Sequence, residues 1–456
     1  MLSLEANDRV TRVSAGTPAG ELFRRYWLPI HPTEHLVDRP VIPIRILGED
    51  LVLYRDRSGA LGLIDDKCPH RKTSLTLGIP EEKGLRCCYH GWLFDELGNC
   101  LEMPLEPADA TFKNKICIKA YPVHDMGGLI WAYLGPKPAP ELPRWDIYVR
   151  PGGFKQMIGH HIPTNWLQVV ENQADPGHIP YGHGRFFQYA LETEGKLTSD
   201  PRTFYNASYA NARAVQSRGL HPLFRAISNE FGYTVGRRLS NEGEDVSSWN
   251  VGSGPMLFPT TLTSGPGDIG LQIRRWCQVV VPIDDYNTWQ IQYFSYFFPE
   301  DVDVPQQGSV PYTEVPLRTP EGRDILDYAL GQDIAIFQGQ GRMADRAKER
   351  LGVNDAIVIA YRKLLSEQID VVASGRDPIN VFRSIAAAQS PDLRIPGAET
   401  GLPPRGLKGR VSENFHVCPK GGRPLIDDVV DRYNRDRDLI IEMYAKTEAI
   451  VQKAGA

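Results

Sequence analysis

Two short stretches concentrate the side chains able to bind metals. The first runs Cys68-Pro69-His70 and, after sixteen residues, Cys87-Cys88-Tyr89-His90. Each of two tight loops therefore offers a thiolate and an imidazole, and two such loops facing each other supply two Cys and two His ligands. Thiolates suit zinc or an iron–sulfur cluster, and the ligand set alone leaves both open. A zinc finger pairs Cys with Cys at C-x2–4-C and His with His at H-x3–5-H. One of each per loop suits instead a [2Fe–2S] cluster whose two irons take different ligands, thiolates on one and imidazoles on the other. A structural zinc site is the alternative.

The second stretch, ENQADPGHIPYGH, places Glu171, Asp175, His178 and His183 within thirteen positions. Glu171 and Asp175, four apart, share a helix face. His178 and His183, five apart, point about 140° away from each other on a regular helix, unlike the i,i+4 pair of an H-E-x-x-H zinc-protease helix. Pro176, Gly177, Pro180 and Gly182 oppose a regular helix here, and a break brings both imidazoles to one point. Glu171 fits either buried support for the site or a plain surface helix.

The elements that must position these groups are of two kinds. Residues 4–27 contain a helix with Leu22, Phe23 and Tyr26 on one side. From 41 to 134 the pattern is one of short strands, with a hairpin in IPIRILGEDLVLYRD turning at Gly-Glu-Asp, and strands near 61–64, 117–122 and 129–134. GPKPAPELP, 135–143, reads as a linker. Beyond it, 163–175 is helical, strands fall between 230 and 300, and helices cover 322–350 and 354–374, the latter ended by Gly375. Residues 390–424, dense in Pro and Gly, are irregular. A last amphipathic helix over 427–453 uses Val430, Tyr433, Ile440 and Tyr444. The sum is a small β domain followed by a larger α+β domain.

Composition narrows the class. A net charge of -5 over 456 residues gives no basic stripe for nucleic acid. No window approaches eighteen apolar residues, and the N-terminus has no apolar signal core, so the expectation is a cytoplasmic protein without a membrane span. Seven cysteines, an odd number in a long chain, do not suggest a disulfide framework. Gly339-Gln-Gly341-Arg-Met-Ala344 fits G-x-G-x-x-A, but without a preceding strand it is discounted as a nucleotide site. The chain is then read as lacking a nicotinamide or flavin module of its own.

CPHR followed by CCYHGWLFDELGNCLEMP resembles the Rieske domain of the Rieske non-heme iron aromatic-ring oxygenases. TRVSAGTPAGELFRRYWLPI and QGQGRMADRAKERLGVNDAIVIAYRKLL extend the likeness over nearly the whole chain, to the phthalate dioxygenase branch with its aromatic O-demethylases. The resemblance implies that Cys68 and Cys87 bind one iron of a [2Fe–2S] cluster and His70 and His90 the other. Cys88 is then a bystander, and Lys72 stands where the family often has Gly. It further implies a mononuclear Fe(II) held by His178, His183 and Asp333, the last in GQDIAIFQGQG. Asp175 would bridge His90 of a neighbouring subunit to His178 and carry electrons across the interface.

By the same likeness the fold is an N-terminal helical segment (1–26) packing on the catalytic domain, an all-β Rieske domain (27–140), and a helix-grip catalytic domain (141–456) of antiparallel sheet around a long helix. The assembly would be a homotrimer or stacked trimers. A separate reductase carrying flavin and iron–sulfur would pass on electrons from NAD(P)H. O2 and an aromatic substrate would meet at the iron, for O-demethylation or ring hydroxylation. Arginines 213, 218, 237, 238, 274 and 275 lie where the substrate cavity is expected. Arg237, Arg238 and Arg274 are the candidates to hold a substrate carboxylate, since guanidinium binds it in bidentate fashion. The alternative of a different class is a zinc-ribbon-like domain joined to a zinc hydrolase.

Overall fold

The computed structural model describes residues 2–107, 111–195, 204–242, 250–251, 255–263, 274–298 and 302–388, with Tyr433 and parts of 435–450. Its architecture is α+β. Short strands dominate as far as Tyr133, in one three-stranded and two four-stranded sheets. A nine-stranded sheet and the longer helices follow.

The early hairpin joins Val41–Ile46 to Glu49–Arg55. Its turn is Leu47-Gly48 rather than Gly-Glu-Asp, because both residues take the positive φ (48° and 77°) that a two-residue hairpin loop requires. The cluster loops grow from a second layer of strands, Ile79–Pro80, Leu85–Arg86, Leu93–Phe94 and Cys100–Glu102. Leu75, Leu85, Trp92 and Phe94 form a small core with Cys68 and Cys87. The Pro-rich stretch 135–143 is tied down: Trp27 Nε1 donates to the Pro140 carbonyl at 2.8 Å, and Glu141 bridges to Phe382.

The large sheet is antiparallel except where Phe154–Ile162 meets Tyr312–Glu314. Its central strand, Asn287–Tyr296, pairs with Arg274–Asp284 on one side and Phe154–Ile162 on the other. Side chains alternate between faces, and the two faces have different neighbours. Ile291 and Tyr293 share a core with Trp131 and Tyr148, and Tyr293 Oη donates to the Gly127 carbonyl at 2.8 Å. Phe294 and Tyr296 pack instead with Ile325, Tyr328 and Leu330. One face thus meets the N-terminal strands and the other the helix Ala329–Gly339.

Helices match the expected positions with shorter spans. Residues 4–27 hold two, Leu4–Thr11 and Pro18–Phe23, capped by Ser3 and Thr17. The helix of 163–175 is Trp166–Ala174, capped by Asn165. The expectation of a helix over 322–350 is corrected to Ala329–Gly339. Gly341, at φ +92°, turns the chain, and Gln168 Nε2 takes the carbonyls of Phe337 and Gly341, each at 2.9 Å. The glycines of G-x-G-x-x-A therefore finish a helix and do not open one. The long helix Ala356–Ala373 packs on the sheet through Ile357, Tyr361 and Leu365 and ends at Gly375, φ +79°. Helix Phe204–Ser217 and strand Pro222–Asn229 were not anticipated. Residues 390–424, Val430 and Tyr444 lie outside the described residues; Ile440 and Met443 are helical and buried.

Glu171 resolves to the buried role. Arg346, 1% exposed, grips its carboxylate through Nε (3.0 Å) and Nη2 (2.7 Å), and Arg362 Nε adds a third bond at 2.6 Å. Arg346 also reaches Asn7, and Arg362 reaches Glu349. Four separate segments are joined through this one carboxylate. Burial favours the protonated acid, but Arg346 and Arg362 outweigh it and hold the pKa below the ordinary value. The resulting stability is present above about pH 4.3, the unfolded value, and is lost as pH falls through the lower folded value. Glu171→Gln, which strands two buried guanidiniums, should cost about 3–5 kcal/mol in denaturant unfolding at pH 7, and should flatten the acid limb of the stability profile.

Candidate metal centres

The two Cys/His loops are built alike. In the first, Lys72 N–H donates to Cys68 O (2.9 Å) and Cys68 N–H to Thr73 O (3.0 Å); in the second, Gly91 N–H donates to Cys87 O (3.0 Å) and Cys87 N–H to Trp92 O (2.8 Å). Lys72 and Gly91 occupy equivalent places, and both are left-handed, with φ +60° and +74°. That is the physical content of a glycine preference at position 72: a lysine there holds a conformation costing roughly 1–2 kcal/mol.

The loops bring thiol to thiol and imidazole to imidazole. Cys68 and Cys87 are buried and within hydrogen-bonding reach of each other. His70 and His90 lie toward solvent with ring centroids 4.4 Å apart, and His70 stacks on Trp92. Burial pushes the Cys68 thiol up to about 11, with neighbouring Cys87 adding to the shift, so metal binding must displace its proton. Cys88 is exposed. A single tetrahedral zinc needs all four donors about 3.3–3.8 Å apart, given Zn–N of about 2.0 Å and Zn–S of about 2.3 Å. Among the described residues, no three of these loops' donor atoms lie within 4.8 Å of one another. Two pairs fit two metal ions better than one.

The group that does meet that distance is His178, His183 and Asp333. Helix Trp166–Ala174 stops at Asp175 because Pro176 forces the preceding residue out of the helical region, to φ -98°, ψ 100°. The chain then rewinds: a single 3-10 turn, Pro176–His178, capped by the Asp175 carboxylate on Gly177 N–H (2.7 Å), leads into a π-helical segment, Pro180–Phe186. His178 closes the 3-10 turn and His183 lies inside the π-helical segment, so a change of winding between them, rather than an open break, accompanies the meeting of the two imidazoles.

His178 Nε2 and His183 Nε2 are 3.1 Å apart, and they lie 3.4 and 3.2 Å from Asp333 Oδ1. Two ligands at right angles and about 2.1 Å from a common ion are about 3.0 Å apart, so the spacing suits one first-row metal. The far ring nitrogens are occupied. His178 Nδ1 bonds the Asp175 backbone carbonyl, and His183 Nδ1 bonds Gln332 Oε1 at 3.0 Å. Gln332 Nε2 in turn donates to Leu326 O at 2.8 Å, which orients the amide oxygen toward His183. Both Nε2 lone pairs are left for a metal. Burial works to raise the Asp333 pKa, but without a metal the protonated forms of His183 and His178 outweigh it and hold it below the ordinary value, a part that a bound cation takes over when both Nε2 atoms are deprotonated. Asn172 Nδ2 steadies Oδ1 at 3.3 Å. Gln332 and Asn172 were not singled out from sequence; Gln332 stands beside Asp333, and a search for amides next to metal-binding residues would have found it.

The arginines divide by their surroundings. Arg213, Arg218 and Arg237 are exposed, Arg238 donates to Glu242 O at 2.6 Å, and buried Arg275 pairs with Asp146 at 3.2 Å. Arg274 opens its strand, and its side chain lies outside the described residues.

Comparison with known proteins agrees with this geometry. Residues 26–122 match the Rieske [2Fe-2S] domain. The chain is 36% identical to the 5,5'-dehydrodivanillate O-demethylase oxygenase subunit of Sphingobium sp. (strain SYK-6), over 85% of each chain. It is 31% identical to the phthalate 4,5-dioxygenase oxygenase subunit of Pseudomonas putida, over 83% of this chain and 89% of that one. In fold it is similar to the terminal oxygenase of carbazole 1,9a-dioxygenase from Novosphingobium sp. KA1, at a TM-score of 0.53 and 17% identity, covering 83% of this chain and 96% of that one. The chain belongs to the Rieske non-heme iron oxygenases, as a terminal oxygenase component of the branch that holds phthalate dioxygenase and the aromatic O-demethylases. Such a component uses a [2Fe–2S] cluster and a mononuclear iron, and draws on NAD(P)H through a separate electron-transfer partner. The zinc-hydrolase alternative finds no support. Among the described residues, no helix is long and apolar enough to cross a membrane.

Two outcomes follow from these loops and ligands. Lys72→Gly should retain the cluster, seen in its visible spectrum, and raise the unfolding free energy from denaturant titration by up to about 1 kcal/mol, the left-handed strain less glycine's extra chain entropy. Gln332→Leu should weaken iron retention about 10–100-fold against a competing chelator.

Proposed function

We propose that Cys68 and Cys87 hold one iron of the cluster, His70 and His90 the other, and His178, His183 and Asp333 the catalytic iron. The observation that carries this reading is the convergence of half-buried His178 with buried His183 and Asp333, both imidazoles being held from behind. Two histidines and one carboxylate on one side of an ion leave positions for O2 and substrate, and the iron supplies O2 activation when bound. Gln332 and the Asp175 carbonyl keep the imidazoles oriented, and Asn172 keeps Asp333 in place.

Asp175 serves as the electron bridge between subunits. Its carbonyl bonds His178, and its Oδ1 is taken by Gly177 N–H. The remaining acceptor capacity of the carboxylate is left for His90 of a neighbour in a homotrimer or in stacked trimers. The link on this chain's side then runs through the peptide group of Asp175 to His178 Nδ1. The division into 1–26, 27–140 and 141–456 goes with this reading. Supporting it, Trp166 Nε1 and Asn165 Nδ2 both donate to Thr11 O at 3.0 Å, which ties the first segment to the catalytic part.

The substrate is aromatic, as the names of both relatives suggest, and is oxidised by O-demethylation or ring hydroxylation. The electron donor is a reductase with flavin and iron–sulfur centres, and the protein works in the cytoplasm. Of the arginines proposed to hold a carboxylate, Arg237 and Arg238 gain no support from their surroundings.

The purified protein should be red-brown, with iron and acid-labile sulfide in stoichiometric amounts; a colourless, zinc-loaded protein would sink the reading. Asp175→Ala should keep both metals while turnover falls at least about 10–100-fold, measured as reductase-coupled O2 uptake. Normal turnover in that variant removes the bridging role.

A further inference from the structure

The sheet face turned toward the Asp333 helix carries polar groups where a core is usually apolar. Along Asn287–Tyr296 the residues on this face include Gln290 and Gln292, each 0% exposed. They are followed by Phe294 and Tyr296, which pack with Tyr328 and Leu330. Across one neighbouring strand His160 stands opposite Gln290, and across the other Gln278 stands opposite Gln292; both are buried. His160 Nε2 lies 3.2 Å from Tyr328 Oη, and Tyr328 immediately precedes the first turn of Ala329–Gly339. The polar patch therefore sits under the start of the helix that presents Gln332 and Asp333.

All four amide atoms of Gln290 and Gln292, and Nδ1 of His160, are buried without a hydrogen-bond partner. Desolvated amides are destabilising, and buried polar groups in native proteins are completed by protein, ordered water or a bound molecule. Two carboxamides at i and i+2 on one face each offer a donor and an acceptor and carry no charge. Burial pushes the His160 pKa down to about 4, so this ring too is neutral at pH 7. Arg275 alternates onto the opposite face and is paired with Asp146. Arg274 stands farther along this face, opposite Tyr296, but the four residues directly opposite Gln290 and Gln292, His160, Ile158, Val280 and Gln278, include no cation to balance a carboxylate, whose burial unpaired is strongly unfavourable.

We propose that Gln290 and Gln292, with His160 beside them, are specificity-determining residues that hold a neutral oxygen substituent of the aromatic substrate, a phenolic hydroxyl or an aryl ether. The inference rests on the oxygenase reading above and deepens it: the buried end of the substrate is oxygenated but uncharged.

The test is equilibrium binding to the iron-loaded holoenzyme without O2, by calorimetry. The neutral probes are 2-methoxyphenol and 1,2-dimethoxybenzene, and benzoate is the charged one. The neutral probes should bind the unaltered protein more tightly than benzoate. Gln290→Leu and Gln292→Leu should each raise the Kd of a neutral probe tenfold or more. Thermal midpoints should stay level or rise, because an apolar group replaces an unpaired amide. Methionine at the same positions, closer in shape, serves where leucine compromises folding.

Neutral-probe affinity unchanged in the variants, binding of benzoate alone, or binding of no neutral probe overturns the proposal. So does a lowered midpoint with unchanged Kd, which makes the amides structural. The two readings fail separately. Loss of iron and labile sulfide in the unaltered protein defeats the oxygenase assignment. A metal-replete protein that consumes O2, but whose variants bind the neutral probes normally, defeats only this inference.

Discussion

Three Lewis-basic atoms held 3.1–3.4 Å apart in a buried site are a poor arrangement for a protein without a cation. Two imidazole lone pairs face one another across a desolvated carboxylate, and only the surroundings keep them there. Much of the catalytic half can be understood as that restraint. His178 is fixed by a backbone carbonyl one turn back, His183 by an amide on the opposing helix, and Asp333 by Asn172. The passage from the 3-10 turn that ends at His178 into the π-helical segment that holds His183 sets their relative phase, and Pro176 ends the preceding helix where that change begins.

Around this centre a second restraint binds the scaffold. The Glu171–Arg346–Arg362 network lies on the same helix as Asn172 but turns away from the metal donors, toward the N-terminal helix and the long helix Ala356–Ala373. Gln168, one turn earlier, holds the end of the Asp333 helix. A single nine-residue helix, Trp166–Ala174, thus presents one set of polar groups to the proposed iron site and another to its supports. Packing alone would allow small shifts of that helix; charged hydrogen bonds of fixed geometry are less forgiving.

What could be read from the sequence depended on how local the signal was. The Cys/His loops were legible because each ligand pair comes from one turn, and Cys88 and Lys72 already stood out as departures. Lys72 gained its explanation only from a backbone angle. The His178/His183 pair was legible as chemistry but not as conformation, since proline and glycine announce a break without saying what winding follows. Asp333 needed family likeness, because nothing local distinguishes it from a surface helix carboxylate. Gln332, Arg346 and Arg362 act across more than a hundred residues of chain and leave no periodic trace. Arg275 shows the same limit: strand parity and an acidic neighbour, Asp146, decide where a guanidinium points.

The alternation along Asn287–Tyr296 has an evolutionary corollary. Odd-numbered residues such as Tyr293 bind the N-terminal strands, while even-numbered ones face the helix that carries Asp333. Substitutions at even positions can drift toward new chemistry while the mating surface of the electron-receiving half stays intact, so one strand separates heritable novelty from inherited wiring. The safeguard has a weak point, because inserting or deleting a single residue in that strand exchanges the two sets. Diversification along it is therefore expected by replacement of side chains and not by change of length.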